Sequence, residues 1–306
     1  MTQPTFLVIG AQRSATTWLA GALAAHPDVY TPETKELHFF DMRERHRRGF
    51  DWYLSHFEAA GTCRAVGECT PNYLWVTDEL PPELARQRFD PELFGPGAFP
   101  DVNRDIPALV RSVLPDVRLV VILREPVERT VSAFYHHVRR RRLPPWSRIL
   151  DVGHRYGIIG MSFYEAHLAR WFECFDLQRF LILGFEDDVI LRPEDTLATV
   201  YRHLDVDDGF LPSGWREKRN ERTSGAFLYA NYVAPRVATR AFRALPALHR
   251  LDWPRVVVTP EERERLAGLF APGVARLEKR IGRRFPSWGE PPDSAVLGGR
   301  ARDASR

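Results

Sequence analysis

Cysteine and long apolar runs are both scarce in this chain of 306 residues. The three cysteines, Cys63, Cys69 and Cys174, are too few for a disulfide framework and lack the paired spacing of a zinc site, so we expect reduced thiols. No apolar run reaches the roughly 18 residues that a membrane-spanning helix needs. The N-terminus also has no basic region followed by an apolar stretch and a cleavage site. We therefore expect a cytoplasmic protein without integral membrane association.

Net charge is low as well, at +3 from 43 basic and 40 acidic residues. A charge this small on a chain of this length does not suggest a nucleic-acid partner, so any anion site must be local. Lysine is rare and arginine dominates, and arginine binds phosphate and carboxylate bidentately. A hydrophobic fraction of 44% predicts a large buried core. Without an internal repeat or an evident linker, we expect one domain over residues 1–290 and a flexible tail over 291–306.

Three apolar runs, at residues 6–9, 119–123 and 180–183, predict buried strands. Amphipathic helical patterns alternate with them. This alternation predicts a three-layer α/β fold in which helices flank a mostly parallel sheet. Ligands of such sheets bind beyond the carboxyl ends of the strands. A capping box at residues 259–262 predicts the start of a long final helix.

The loop after the first strand carries one cation and three hydroxyls, from Arg13, Ser14, Thr16 and Thr17. A loop between a buried strand and a helix directs backbone N–H groups and the positive end of the helix dipole at any anion there. An ordinary helix cap needs only one Ser or Thr. Four phosphate-compatible side chains in five positions therefore favour an anion site over a simple cap.

The nucleotide-binding pattern G-x-x-x-x-G-K-[ST] is the natural comparison for this loop, and the loop departs from it. Gly10 is present, but Ala15 stands in place of the second glycine and Thr16 in place of the lysine. The second strand runs into Arg124, where a magnesium-dependent NTPase would have an aspartate. Arg124 and Ser132, two helical turns further on, can serve a second phosphate. We therefore expect two phosphate sites and no metal.

These segments resemble the donor-binding motifs of sulfotransferases that use 3'-phosphoadenosine 5'-phosphosulfate (PAPS). Residues 6–19 look like the 5'-phosphosulfate loop, and residues 123–129 with Ser132 look like the 3'-phosphate motif. KELHFFD at 35–41 and GECTPNY at 67–73 narrow the likeness to the branch of heparan sulfate 3-O- and N-sulfotransferases. Further motifs extend it to residue 288. The resemblance implies a P-loop-like sulfotransferase fold with PAPS as co-substrate and no metal.

The resemblance also implies roles for individual residues. Arg13 stands where the family usually has a catalytic lysine, and an arginine there would stabilise charge rather than donate a proton. Glu36 matches the general base, and His38 is a rival because its ordinary pKa lies near the working pH. Alternatively, Glu36 is an ion-paired carboxylate and His38 a core residue. The acceptor side would be lined by Lys35, Asp41, Thr70 and Tyr73. The donor contacts would be Arg13, Ser14, Ala15, Thr16, Thr17, Trp18, Arg124, Ser132, Arg222, Thr223 and Ser224.

The sequence indicates only the class of the acceptor, which is a hydroxyl or an amine of a small molecule, a lipid or a carbohydrate. Cys69 replaces a lysine that related polysaccharide enzymes often carry, which weakens the case for a shared contact with sulfated polysaccharide. Two alternative functions stay open. A P-loop-type ATP-dependent kinase would require magnesium. A non-catalytic anion or polysaccharide binder would use the arginine run at 139–142, which would otherwise be a solvated helix end.

Overall fold

A parallel sheet forms the centre of the protein. The computed structural model describes residues 2–76, 105–152, 155–215, 225–245 and 258–288. The strands are β1 (Phe6–Gly10), β2 (Val29–Tyr30), β3 (Ala65–Cys69), β4 (Arg118–Leu123) and β5 (Phe180–Gly184). They lie in the order β2-β3-β1-β4-β5, and every neighbouring pair is parallel. The predicted parallel sheet and its three predicted strands are confirmed, and β2 and β3 extend the sheet beside β1.

Helices connect the strands throughout the described residues. They are α1 (Thr16–Ala25), α2 (Arg43–His46), α3 (Phe50–Ser55), α4 (Ile106–Val113), α5 (Pro126–Arg139), α6 (Tyr164–Cys174), α7 (Pro193–Leu204), α8 (Gly225–Val233), α9 (Pro235–Ala244) and α10 (Pro260–Ile281). A 3-10 turn, Pro71–Leu74, follows β3, and a π-helical turn, Phe185–Ile190, follows β5. α10 begins with the predicted capping box of Thr259 and Glu262. None of these helices is long and apolar enough to cross a bilayer.

The sheet is covered on both faces, as its central strand β1 requires, because β1 carries apolar side chains toward each face. All five residues of β1 are buried. On one face, Phe6 and Val8 pack in a cluster with Leu19 of α1 and Leu197 of α7. On the other face, Leu7 packs in a cluster with residues of α4 and α6. Helices on both sides of the sheet give the three layers that the sequence predicts.

The carboxyl ends of the strands bring four distant segments together. Because all strands run in the same direction, the loops that follow β1, β3, β4 and β5 leave the sheet at one edge. The loop after β1 lies close to the turn after β3, and a Cβ atom at Gly10 would lie only 2.7 Å from the Cβ of Leu74. Glycine at position 10 therefore permits this close approach. This edge is where α/β sheets bind their ligands.

Candidate active site

The loop of residues 11–15, between β1 and α1, has the shape of an anion site. Arg13 and Ala15 have positive φ angles of 73° and 62°, and alternation of this kind turns successive N–H groups toward one side. α1 has no side-chain cap and no acidic residue in its first turn, so its first N–H groups suit an anionic ligand. The hydroxyl of Ser14 is buried and has no hydrogen-bond partner. A phosphate or sulfate group could accept hydrogen bonds from both the N–H groups of α1 and the Ser14 hydroxyl.

The two predicted phosphate motifs meet in space, as the sequence predicts. Arg124 Nη1 donates a hydrogen bond of 3.4 Å to the backbone oxygen of Arg13. Arg13 Nε donates to Ser132 Oγ at 3.2 Å. Arg13 thus reaches the hydroxyl that the sequence assigns to the second phosphate. Its guanidinium therefore contacts a residue of the second predicted phosphate site, although Arg13 belongs to the loop of the first.

Arg124 is held by an aromatic ring and two carboxylates. Its guanidinium carbon lies 5.0 Å from the centre of the Phe185 ring. Carboxylate oxygens of Glu128 and Glu186 each lie 3.8 Å from it, too far for hydrogen bonds, and Arg124 Nε has no hydrogen-bond partner. Glu186 also accepts hydrogen bonds from the backbone N–H of Glu125 and the indole of Trp288. The ring and the two carboxylates therefore orient the guanidinium without forming a hydrogen bond to it.

Positive charge accumulates around Arg13. Burial lowers the pKa of its guanidinium, and the charges of Arg139 and Arg124 lower it further. Burial also lowers the pKa of His136 to about 4, helped by Arg13 and Arg139, so this imidazole is neutral at pH 7. Arg139 opens the arginine run that the sequence leaves ambiguous, so at least its first member contributes to the field of the site. An anion here would relieve the mutual repulsion of three guanidinium groups.

Charged side chains of the segment after β2 contact one another in a row that begins beside Thr17 of α1. Lys35 Nζ donates to Thr17 Oγ1 at 3.1 Å and pairs with Glu36 Oε1 at 2.7 Å. Glu36 Oε2 lies 3.5 Å from His38 Nε2, and Asp41 Oδ2 lies 2.8 Å from His38 Nδ1. The predicted base candidates therefore lie next to the predicted phosphosulfate loop, linked to it through Thr17.

Glu36 and His38 hold opposite charges at neutral pH. Burial by itself would lower the pKa of His38, but hydrogen bonds to Asp41 and Glu36 outweigh it and raise that pKa to about 10. The hydrogen bond from His38, with help from Lys35, lowers the pKa of Glu36 to about 2 against the effect of burial. Of the two candidate bases, Glu36 is thus the one in a form that can accept a proton at pH 7.

In this structure Thr70 and Tyr73 face Glu68 rather than solvent, which counts against their predicted contact with an acceptor. Both side chains are 0% exposed. Thr70 Oγ1 donates to Glu68 Oε2 at 2.6 Å, and the Tyr73 hydroxyl donates to Glu68 Oε1 at 2.8 Å. The turn after β3 directs both hydroxyls at Glu68, which is itself buried on β3. Asp41 is 2% exposed and likewise contacts His38 rather than open solvent.

The remaining predicted residues divide between described and undescribed parts of the chain. Thr16 is buried at the start of α1, and the indole N–H of Trp18 donates to the backbone oxygen of Trp215 at 2.8 Å. The other three predicted donor contacts, Arg222, Thr223 and Ser224, lie outside the described residues, as does the tail 291–306. Within the described residues, no group of three His, Cys, Asp or Glu side chains could hold a metal ion, and all three cysteines are free. Metal independence and a cytoplasmic location stay predictions.

Glu68 and Glu186 are the residues of this region to which the sequence analysis assigns no role. Each lies within two residues of a strand's carboxyl end. Glu68 belongs to the segment GECTPNY, and Glu186 belongs to the segment FED at 185–187, one of the further motifs that extend the resemblance. Their position next to the carboxyl end of a strand was therefore the sequence signal that could have marked Glu68 and Glu186 as site residues. It becomes usable only once β3 is recognised as a strand.

Comparisons with known proteins agree with this arrangement. Residues 4–209 match the model of a family described as the sulfotransferase family. Heparan sulfate glucosamine 3-O-sulfotransferase 5 of Mus musculus is 23% identical over 216 residues, which cover 66% of this chain and 54% of the mouse protein. The bifunctional heparan sulfate N-deacetylase/N-sulfotransferase of Drosophila melanogaster is 26% identical over 253 residues, which cover 71% of this chain and 22% of the fly protein. The chain thus spans about half the length of the first of these relatives and less of the second.

One solved structure resembles the whole described fold. A sulfotransferase from Alicyclobacillus acidocaldarius superposes with a TM-score of 0.64 at 23% identity, covering 95% of this chain and 100% of that one. At this identity the likeness establishes the fold. The predicted three-layer, P-loop-like α/β architecture is confirmed.

Proposed function

The chain belongs to the sulfotransferase family, and on this premise we propose that it moves a sulfuryl group from PAPS to an acceptor hydroxyl or amine. The observation that carries the proposal is the meeting of Arg13, Arg124 and Ser132. A helix N-terminus and two guanidinium groups from different strand ends suit a nucleotide with anionic groups at both its 5' and 3' positions. The family match and the arginine at position 124 both weigh against the kinase alternative.

In this proposal, the donor is held at its two anionic ends. The N–H groups of residues 12, 13 and 15–17 and the hydroxyls of Ser14 and Thr16 would hold the 5'-phosphosulfate, whereas the N–H groups of Ala11 and Ser14 already donate to backbone oxygens. Arg124 would hold the 3'-phosphate together with Ser132. Arg13, which belongs to the loop after β1 and already contacts Ser132, would supply positive charge to the 5' side while it stays within reach of the 3' side. The unpartnered Ser14 hydroxyl and Arg124 Nε support these assignments.

The proposed reaction is an in-line displacement at sulfur. The acceptor atom bonds to sulfur as the bond from sulfur to the phosphate oxygen breaks, which yields the sulfated acceptor and 3',5'-adenosine diphosphate (PAP). Negative charge builds on the leaving phosphate, and Arg13 would stabilise it without donating a proton. Glu36 would take the acceptor's proton. A carboxylate of such low pKa is a weak base, but the acceptor atom becomes acidic as it bonds to sulfur, so the proton would move late.

We propose a small molecule, a lipid or a carbohydrate as the acceptor. The names of the two relatives point to heparan sulfate, a carbohydrate, as their own acceptor. Lys35 is the exposed cation beside Glu36 and is the residue best placed to contact an acceptor there. Cys69 is buried, and it offers no substitute for the lysine that related polysaccharide enzymes often have. Small molecules and lipids therefore stay on equal terms with carbohydrates.

The test is incubation of the purified protein with sulfur-labelled PAPS and a panel of alcohols, amines, lipids and oligosaccharides. The proposal predicts labelled product and PAP in equal amounts with at least one acceptor, and loss of both in Arg124→Ala. A protein that binds PAP but never turns over with any acceptor would favour the non-catalytic binder. Consumption of ATP that depends on magnesium would favour the kinase.

A further inference from the structure

Three side chains at or just after the end of β3 accept hydrogen bonds from the segment that carries Glu36 and His38. Three consecutive backbone N–H groups of that segment each donate to a different one of these side chains. The pairs are Leu37 N to Glu68 Oε2 at 3.2 Å, His38 N to Thr70 Oγ1 at 3.5 Å, and Phe39 N to the Tyr73 hydroxyl at 3.0 Å. We name Glu68, Thr70 and Tyr73 the β3 clamp.

Glu68 is the centre of the clamp. Its carboxylate is 2% exposed and accepts hydrogen bonds from Thr70, Tyr73 and Leu37. No Lys, Arg or His of the described residues forms a salt bridge with it, and burial raises its pKa. A buried carboxyl group is costly unless its oxygens are hydrogen-bonded. The partners of Glu68 are the hydroxyls of Thr70 and Tyr73 and the backbone N–H of Leu37. The clamp and the segment of residues 36–39 therefore stabilise each other.

The captured segment has a backbone conformation that its own residues disfavour. Glu36 and His38 have positive φ angles of 65° and 54°, which L-residues adopt only where the surroundings impose them. Leu37 and Phe39, which alternate with Glu36 and His38 along the chain, are buried in the core. This alternation is what places the side chains of Glu36 and His38 on the same side, where they meet at 3.5 Å.

We propose that Glu68, Thr70 and Tyr73 are positioning residues for acceptor activation. They fix the backbone of residues 36–39 so that Glu36 keeps its contact with His38 and stays beside Thr17 and the donor loop. This inference rests on the proposed function, because it assigns the clamp to the step in which Glu36 accepts a proton. The clamp acts through Glu36 and does not touch the donor or the acceptor.

The test compares two clamp variants with two matched controls. Tyr73→Phe and Thr70→Val each remove one clamp hydroxyl. Tyr201→Phe and Thr196→Val remove the hydroxyls of two buried residues elsewhere. In the controls, the lost bonds are those from Tyr201 to the backbone oxygen of Ala22 at 3.3 Å and from Thr196 to the backbone oxygen of Arg192 at 2.8 Å. Each control loses one hydrogen bond and each clamp variant loses two, so the clamp variants should lower the melting temperature more, and kcat is compared well below the melting temperature of each variant.

The proposal predicts that kcat differs between the two clamp variants and the two control variants. Well below the melting temperature, kcat should fall by about 10-fold or more in the clamp variants, because small displacements of a reacting group are costly. The KM for PAPS and the affinity for PAP should stay at the wild-type values. The controls should keep the wild-type kcat. Clamp variants that match their controls in kcat would overturn the proposal.

A second readout does not depend on turnover. His38 faces the carboxylates of Glu36 and Asp41, and Lys35 faces Glu36 from the far side. An NMR titration should find the pKa of His38 closer to its ordinary value in Tyr73→Phe than in wild type or Tyr201→Phe. If wild type has no turnover with any acceptor, the proposed function fails while this titration still tests the clamp. An unchanged His38 titration in Tyr73→Phe would contradict it.

Discussion

His38 should carry its proton far above neutral pH because Asp41 holds it, and Asp41→Asn tests that dependence. Asp41 Oδ2 and Oδ1 lie 2.8 and 3.1 Å from His38 Nδ1, whereas Glu36 Oε2 lies 3.5 Å from Nε2. The Asp41 side chain is 2% exposed and that of Glu36 is 38% exposed. Asparagine keeps the size of Asp41 and removes its charge, so the substitution isolates the electrostatic contribution.

The expected magnitude follows from the distances and the burial. A rise of the His38 pKa from 6.5 to about 10 corresponds to about 5 kcal/mol in favour of the imidazolium, at about 1.4 kcal/mol for each pKa unit. Burial opposes this rise, so the two carboxylates together contribute more than this net amount. Asp41 is closer and better shielded from water, so its loss should lower the His38 pKa by about 2 or more, and Glu36→Gln should lower it by about 1.

NMR titration of the His38 ring, assigned with His38→Gln, measures both pKa values. Stability provides an independent check. The pKa is raised in the folded state, so the contribution of His38 is complete below its unfolded value of 6.5 and is lost as the pH rises through about 10. Asp41→Asn should therefore destabilise the protein more near pH 6 than near pH 10.5 in urea unfolding. A wild-type His38 that titrates near 6.5, or a variant that titrates like wild type, would refute the reasoning.

Three further outcomes are expected. Glu36→Gln should lower kcat by about 100-fold or more with unchanged PAP affinity in calorimetry, and a fully active variant would remove Glu36 from the proton transfer. EDTA should leave sulfuryl transfer unchanged in an initial-rate assay, whereas a loss that magnesium restores would indicate a metal-dependent reaction. PAP at about 1,000 times its Kd should stabilise the fold by about 4 kcal/mol, visible as a higher melting temperature, and a ligand that leaves the melting temperature unchanged would show that the donor site is misassigned.

The parallel sheet could be predicted because β1, β4 and β5 are apolar along their length, a pattern that local sequence carries in full. β2 and β3 could not be predicted in the same way. β2 has two residues, and β3 contains Gly67 and Glu68, which interrupt an apolar run. The carboxylate of Glu68 is tolerated there only because residues 37, 70 and 73 donate to it. These contacts depend on the fold and are not visible in the strand's own sequence.

In the site, the types of the residues could be predicted from the sequence, but the directions of their side chains could not. The types at positions 13, 124 and 132 predict two anion sites, and their meeting follows from the order of parallel strands. The direction of each side chain does not follow from spacing. Thr70 and Tyr73 belong to a segment that carries the family likeness, yet the turn after β3 points both inward. Arg13 reaches Ser132 of α5 through a hydrogen bond between segments that are far apart in the sequence.

Isothermal titration of wild type and Arg124→Ala with PAP and with 5'-AMP tests most directly whether Arg13 and Arg124 hold two ends of one nucleotide. Loss of a charge-assisted contact to the 3'-phosphate should cost about 1.5 to 3 kcal/mol, which weakens PAP by about 10- to 150-fold. The affinity for 5'-AMP, which lacks that phosphate, should change little. Equal losses for the two nucleotides would contradict the assignment of Arg124 to the 3'-phosphate and with it the two-anion site.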